Sequence, residues 1–433
     1  MLRMGFVFFG SKCYIGYTNM TSISDILFNV FIFLSVYVQM FFFITFLENR
    51  KKIIIRNHPV KLAKYPKVTV IVPCWNEEKT IYKTVRSLLD LNYPKDKIKI
   101  FLVDDGSTDG TWNAISKFSG YPNVRTFHKE NGGKYTALNL GLENIETDFV
   151  GCLDADSMVE AESLVRIMSY FERDIGTMAV APSVTVLNPS NIIQKAQKAE
   201  YHMGVFTKKM LGFLGAIHVT PGPFTIFRKK VFDDLGPYRH GYSTEDMEIA
   251  YRMQKNDYKI EHCNDAYVYT KTPSSISKLY RQRLRWIYGF INNTIDYRGV
   301  LFRKKYGNFA LFTLPTGIIS ISAVSYLFGR MIYNLGDLIY SKIISVNTVG
   351  WSFSTSTTNF NWFSVDTHPS MFLIVFVYSL VIFAIILGRK MVEGKWVLSL
   401  NMLYYLLLFR ILAPFWLINA IYNTVISKKP AWR

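Results

Sequence analysis

The chain has 433 residues, of which 50% are hydrophobic and 16% aromatic, and a formal net charge of +18. Apolar residues at this density, gathered into long charge-free runs, exclude an ordinary soluble protein. The positive charge calls for no nucleic acid: no nucleic-acid-binding module is legible, and basic residues beside membrane helices meet anionic lipid headgroups and attract anionic substrates.

The first element in chain order is a transmembrane helix over Ile26 to Leu47, which contains no charged residue and at roughly 1.5 Å per residue covers a ~30 Å hydrocarbon core. The run is too long, and lies too far into the chain, for a cleaved signal peptide. Arg50, Lys51, Lys52, Arg56, Lys61, Lys64 and Lys67 follow it, whereas only Arg3 and Lys12 precede it. Basic residues concentrate on the cytoplasmic side, so the following domain is expected there.

That domain reads as α/β. Val68 to Val72 and Ile98 to Val103 are short β-branched runs, separated by Lys79 to Leu91, where Ile81, Val85, Leu88 and Leu89 recur at helical spacing. A strand near Arg125 to Phe127, a helix from about Ala137 to Asn144 and a strand from Asp148 to Leu153 continue the alternation. The pattern predicts a parallel sheet covered by helices on both faces, with ligands at the carboxyl ends of its strands. Asp104-Asp105 and Asp154-Ala155-Asp156 stand at two such ends. No glycine cradle for phosphate is present, and an acidic pair repels phosphate unless a divalent cation sits between them; hard oxygen ligands suit Mg2+ or Mn2+. The alternative is an Asx-turn ending a strand. The four cysteines, Cys13, Cys74, Cys152 and Cys263, lack CxxC spacing, so neither disulfides nor zinc are expected.

Further on, Pro221-Gly222-Pro223-Phe224 is a stiffened turn. Ser243-Thr244-Glu245-Asp246 precedes a helix and, on local grounds alone, reads as a capping cluster. In a helix Gln282, Arg285 and Trp286 share one face; Arg283 is expected on the opposite side, toward lipid or water. The neighbouring Lys278, Arg281, Arg298, Arg303, Lys304 and Lys305 also fit a basic amphipathic helix at the membrane surface. Phe309 to Gly329 and Met371 to Gly388 are two more spans, joined by a polar outer loop from Ser341 to Ser370. Arg389, Lys390 and Lys395 mark a return inside. Trp396 to Ile426 is interrupted by Arg410 and Pro414; a single crossing there would put Lys428, Lys429 and Arg433 outside, so a kinked or re-entrant pair is the alternative.

With these motifs on the page, the chain resembles the inverting glycosyltransferase family two with a GT-A fold, most nearly its processive membrane synthases of hyaluronan, poly-N-acetylglucosamine, chitin and cellulose. The resemblance covers about Lys67 to Arg298. It implies that Pro73, Asn76, Glu77, Asp104 and Asp105 hold the uridine, that Asp154 contacts the ribose and diphosphate, and that Asp156, with Asp154, holds the metal. Asn131-Gly132-Gly133-Lys134 matches the family pattern and places Lys134 near the diphosphate. By the same resemblance Asp246 is the catalytic base, Gly222, Pro223, Glu245, Gln282 and Trp286 line the acceptor site, and Arg285 faces the departing diphosphate.

The expectation is a GT-A domain inserted between transmembrane α-helices. Its divisions are an N-terminal helical segment (1–50), a catalytic domain (51–275), interfacial helices (276–306) and a C-terminal membrane region (307–433). Its activity would be polymerisation of a β-linked glycan from a UDP-sugar, with Mg2+ or Mn2+, onto a growing glycan at the cytoplasmic face of the plasma membrane. Few spans are available for a polymer channel, so a homodimer, an accessory membrane subunit or the interfacial helices would complete it. The competing readings are a single-transfer enzyme with a lipid acceptor and a non-catalytic receptor for a nucleotide sugar.

Overall fold

The computed structural model describes residues 23–53, 60–350 and 369–428. The expectations for Arg3, Lys12, Cys13, Arg56, Lys429, Arg433 and most of the polar outer loop lie outside the described residues.

A long helix, α1 (Ile23–Asn49), leads into the domain. There follow β1 (Val68–Cys74), α2 (Ile81–Leu89), β2 (Ile98–Asp105), α3 (Thr111–Ser116), β3 (Val124–Lys129), α4 (Lys134–Glu143), β4 (Phe149–Cys152), β5 (Ser157–Val159), α5 (Ser163–Arg173) and β6 (Thr177–Val186). The chain continues through α6 (Ile192–Phe213), β7 (Ile226–Arg228), α7 (Lys230–Leu235), α8 (Glu245–Lys255), β8 (Lys259–Thr270) and α9 (Ile276–Asp296). Three further long helices are α10 (Leu314–Val349), entered through a π-helical turn at Phe309–Thr313, α11 (Pro369–Glu393) and α12 (Leu400–Val425).

One eight-stranded sheet runs in the order β3-β2-β1-β4-β7-β6-β8-β5. β1 is apolar apart from Thr69 and buried except at Pro73, as suits a strand covered on both faces. In α2 the buried residues Ile81, Val85 and Leu88 form the stripe that packs on the sheet. β1, β2, β3 and β4 are parallel, as the sequence predicts. The other half is a correction: β7 runs antiparallel to both β4 and β6, and β5 antiparallel to β8. β5 and β7 have three residues each, too short to carry a periodic signal. The chain leaves β1 toward β2 and β3, then returns to β4 on the other side of β1. This creates a topological switch at the carboxyl ends of β1 and β4, the position where open α/β sheets bind ligands.

Among the described residues, four stretches are long and apolar enough to cross a membrane: Ile23–Lys52, Phe309–Thr348, Ser370–Glu393 and Leu400–Val425. α10 continues to Val349, well into the segment expected to be loop. Its polar residues there, Ser341, Lys342, Ser345, Asn347 and Thr348, are exposed, as are Ile343 and Ile344. α12 passes through Pro414 as one helix instead of splitting into a re-entrant pair; membrane helices tolerate an internal proline when neighbours compensate the lost hydrogen bond.

α6 joins the two halves of the molecule, packing against the sheet on one side and α11 and α12 on the other. The α6–α11 crossing is backbone to backbone. A methyl group at Gly388 would overlap the carbonyl of His202. Glu393 at the end of α11 pairs with Lys198 (2.6 Å) and Arg389 (2.9 Å), and the Tyr267 hydroxyl donates to the Met391 carbonyl (2.9 Å). Gly388→Ala is expected to force this crossing apart at a cost of about 1–3 kcal/mol, read as a lower unfolding temperature in detergent. An unchanged unfolding temperature would mean that the crossing is loose.

Candidate active site

The loops after β1 and β2 are tied together. Asn76, in the left-handed region at φ 55°, donates its N–H to the Ser107 hydroxyl (3.0 Å) and accepts from the Thr108 N–H (2.8 Å). The Glu77 N–H donates to the Thr111 hydroxyl (2.8 Å), and its carboxylate accepts from Thr80 (2.6 Å). The two adjacent aspartates have separate tasks. Asp105 accepts from the Gly132 N–H (3.1 Å), the Gly133 N–H (2.9 Å) and the Lys129 ammonium (2.7 Å), which fixes the glycine loop ahead of α4. Asp104, fully buried, is 2.7 Å from His128 Nδ1 and keeps Oδ1 buried without a hydrogen-bond partner among the described residues. A ligand donor would satisfy that atom.

His128 and Lys129 were not foreseen, yet a signal existed. β3 places them in register with Asp104 and Asp105, so aligning the two strands in sequence brings the pairs together.

The glycine loop delivers Lys134 to the first residue of α4, where its ammonium lies 2.7 Å from Asp154 and 3.0 Å from Glu245. Burial alone would lower its pKa, but Asp154 and Glu245 outweigh burial and hold it well above the ordinary lysine range. Burial likewise opposes ionisation of Glu245, and Lys134 overcomes it, leaving that carboxyl below its usual pKa. Gly222 packs directly against Lys134 and Asp154. A cavity of ≈ 10 Å³, about the room for one water, is lined by Lys134, Gly222, Glu245 and Asp246 together with Thr220 and Tyr238. Residues far apart in sequence thus meet at one point.

Asp246 is the second residue of α8, where the helix dipole favours a carboxylate. Its Oδ1 accepts from the Met247 N–H (2.9 Å), and its backbone carbonyl accepts from the Thr220 hydroxyl (2.8 Å). Burial, then the neighbouring Glu245 charge, pushes the Asp246 carboxyl up to about 6, with Lys134 and Arg285 opposing the rise. The Arg285 charge thus acts in the same direction on both acids of the motif, favouring their ionised forms. A carboxylate near this value at a helix start is poised to take a proton near neutral pH.

Asp156 is raised to about 7 by burial, then by Asp154 and Glu77. The described residues contain no group of three His, Cys, Asp or Glu able to hold a metal by themselves. Two carboxylates with surplus negative charge fit a hard divalent cation that takes its remaining ligands from water and a diphosphate, as Mg2+ commonly does. Asp154 and Asp156 are the residues that would hold it.

α9 presents Gln282, Arg285 and Trp286. Here one expectation is corrected: Arg283 does not face lipid or water but is 4% exposed. It pairs with Glu200 of α6, donates to Gln282 Oε1 (2.8 Å) and lies 4.1 Å from the centre of the Trp286 ring. The reason is α6, whose packing under the domain supplies a partly buried carboxylate partner. The sequence reading did not identify that helix, although Asn191 caps it by accepting from the Gln194 N–H (2.9 Å) and Ala196, Ala199, Phe206 and Met210 are buried along it.

Comparison with known proteins agrees with this geometry. The profile for Glycosyl transferase family 2 matches residues 69–236. A poly-β-1,6-N-acetyl-D-glucosamine synthase of Staphylococcus epidermidis is 27% identical over 290 residues, 66% of this chain and 69% of that protein. A synthase of the same name from Staphylococcus aureus strain COL is 31% identical over 224 residues, 51% of this chain and 54% of that one; the matched region is thus about half of that relative's length. A mannosyltransferase from Pyrobaculum calidifontis, solved with GDP-Man and Mn2+, superposes with a TM-score of 0.55 at 16% identity, covering 92% of this chain and 99% of that one; this likeness concerns the fold. The switch-point site and the mixed sheet give the chain a GT-A fold whose residues 69–236 match glycosyl transferase family 2, flanked by helices of membrane-spanning length.

Proposed function

We propose that the protein is a processive inverting glycosyltransferase that polymerises a β-linked glycan from a UDP-sugar at the cytoplasmic face of the plasma membrane. Poly-N-acetylglucosamine is the polymer favoured by the names of its relatives. The observation that carries the reading is Asp246, a half-buried carboxylate at the start of α8 raised toward neutrality and lining one small cavity with Lys134 and Glu245 of the Lys134–Asp154–Glu245 cluster.

In this reading Asp104 and the Asn76–Glu77 loop bind the uridine, and Lys134 and Arg285 meet the diphosphate. Asp246 accepts the proton of the acceptor hydroxyl as its oxygen bonds to the anomeric carbon on the face opposite the departing UDP. Arg285 offsets the negative charge that grows on the diphosphate. A divalent cation, when bound at Asp154 and Asp156, would neutralise phosphate charge. Trp286, braced by Arg283, gives the acceptor sugar a flat apolar surface, with Gln282, Glu245, Gly222 and Pro223 around it.

Two results are expected. Only the ionised base can accept a proton, so kcat is expected to fall about tenfold per pH unit below about 6 and to level off above it. UDP release at saturating substrate between pH 5 and 8 measures this, and a flat profile would contradict the base assignment. Trp286→Ala is expected to shorten the product and weaken acceptor engagement while leaving the KM for UDP-sugar within about twofold, since the ring meets only the acceptor; equal product length would remove Trp286 from the acceptor site.

A further inference from the structure

Thr244-Glu245-Asp246 is preceded by an unusual turn. Gly241, Tyr242 and Ser243 are consecutively left-handed, at φ 48°, 57° and 62°. Glycine adopts this region freely, but tyrosine and serine do so only where their surroundings enforce it, and such residues cluster where geometry matters to function. The enforcing element here is α9. Asn293, 1% exposed, donates through Nδ2 toward the Thr244 hydroxyl (3.0 Å), the Gly289 carbonyl (2.9 Å) and, more weakly, the Gly241 carbonyl (3.3 Å). Thr244 in turn donates its hydroxyl to the Gly241 carbonyl (2.6 Å). The Tyr242 hydroxyl donates to Asp296 (2.9 Å), and its ring meets Tyr288 edge-on. Gly289 completes the grip: a methyl group there would overlap the Thr244 side chain.

We infer that Asn293 is a positioning residue for Asp246, clamping the left-handed turn so that the carboxylate at the start of α8 stands at a fixed distance from Arg285 and Trp286. The inference rests on the reading of Asp246 as the base. Its physical basis is the shared helix: Trp286, Gly289 and Asn293 stand at i, i+3 and i+7 and occupy one face of α9. That face therefore carries the acceptor platform at one point and grips the base-bearing turn two turns further on. Any rotation of α9 moves both together, which keeps nucleophile, base and leaving-group cation in register. A misplacement of about 1 Å in such an arrangement commonly costs up to about a hundredfold in rate.

The test uses the full chain in lipid nanodiscs with Mn2+ and UDP-N-acetylglucosamine as the probe. Asn293→Ala is expected to lower kcat for UDP release by about 10- to 100-fold, with the KM for the UDP-sugar and Mn2+-dependent UDP binding unchanged within about twofold. Asn293→Asp, which keeps the shape but removes the donor, is expected to lose as much. Adding Ser243→Gly to Asn293→Ala is expected to restore part of kcat, because glycine holds the left-handed conformation without the clamp. The inference is overturned if Asn293→Ala keeps kcat within twofold, if kcat and UDP binding fall together as for a packing residue, or if Ser243→Gly restores nothing. Asp246→Asn run alongside separates the two claims: retained turnover there sinks the base reading, whereas an inactive Asp246→Asn beside a fully active Asn293→Ala sinks only the clamp.

Discussion

Asp246→Asn is expected to abolish sugar transfer while leaving divalent-dependent UDP binding in place. The carboxamide has the shape of the carboxylate and can still accept from the Met247 N–H, as Oδ1 does now at 2.9 Å. The Thr220 hydroxyl bonds the backbone carbonyl of residue 246, so that anchor is indifferent to the substitution. What is lost is proton acceptance. Positioned general bases contribute about 100- to 10,000-fold, and residual activity should therefore lie at or below about a hundredth of the parent and lose its acid limb. UDP binding measured in parallel guards against misfolding; turnover above about a tenth of the parent would remove Asp246 from the role.

Lys134→Met is expected to have the largest effect on stability within the site. Lys134 is the one cation within ion-pair distance of both Asp154 and Glu245 among the described residues, and its side chain is 20% exposed. Methionine keeps the volume but leaves two largely buried carboxylates, with Asp246 close by, without that neighbour. Breaking a buried pair by removing one partner typically costs about 3–5 kcal/mol, and partial exposure puts the expected loss toward the lower figure. A second consequence has a definite sign. Lys134 opposes the upward shift of Asp246, so its removal should move the acid limb of the rate profile to higher pH. Thermal unfolding in detergent and the pH profile of the residual activity read the two effects separately. An unchanged unfolding temperature together with an unmoved limb would show that the cluster is held from elsewhere.

Much of this architecture was legible in the sequence because the relevant signals are local and strong. β1 and β2 are rich in β-branched and other apolar residues, and the charge-free runs within α1 and α11 announce themselves by length. The acidic motifs could be placed at strand ends because those strands are regular. What was not legible depends on contacts between distant segments. β7 is three residues long and acquires its antiparallel place only from the turn that lays it against β4. Arg283 looks like a surface cation until α6 brings Glu200 beneath it. The hold of Asp105 on the backbone of Gly132 and Gly133 is likewise a contact that no spacing in the sequence reveals. The left-handed run at 241–243 was equally hidden, since Tyr242 and Ser243 carry no preference for it and the cause sits on α9.

The most direct test of the proposed activity is to incubate the purified protein with Mg2+ or Mn2+ and each common UDP-sugar, following UDP release and product size together. The proposal predicts UDP release coupled to a high-molecular-weight, glycosidase-digestible polymer, with UDP-N-acetylglucosamine as the preferred donor. UDP release that yields only a singly glycosylated lipid, or UDP-sugar binding with no turnover in the presence of lipid, would contradict it.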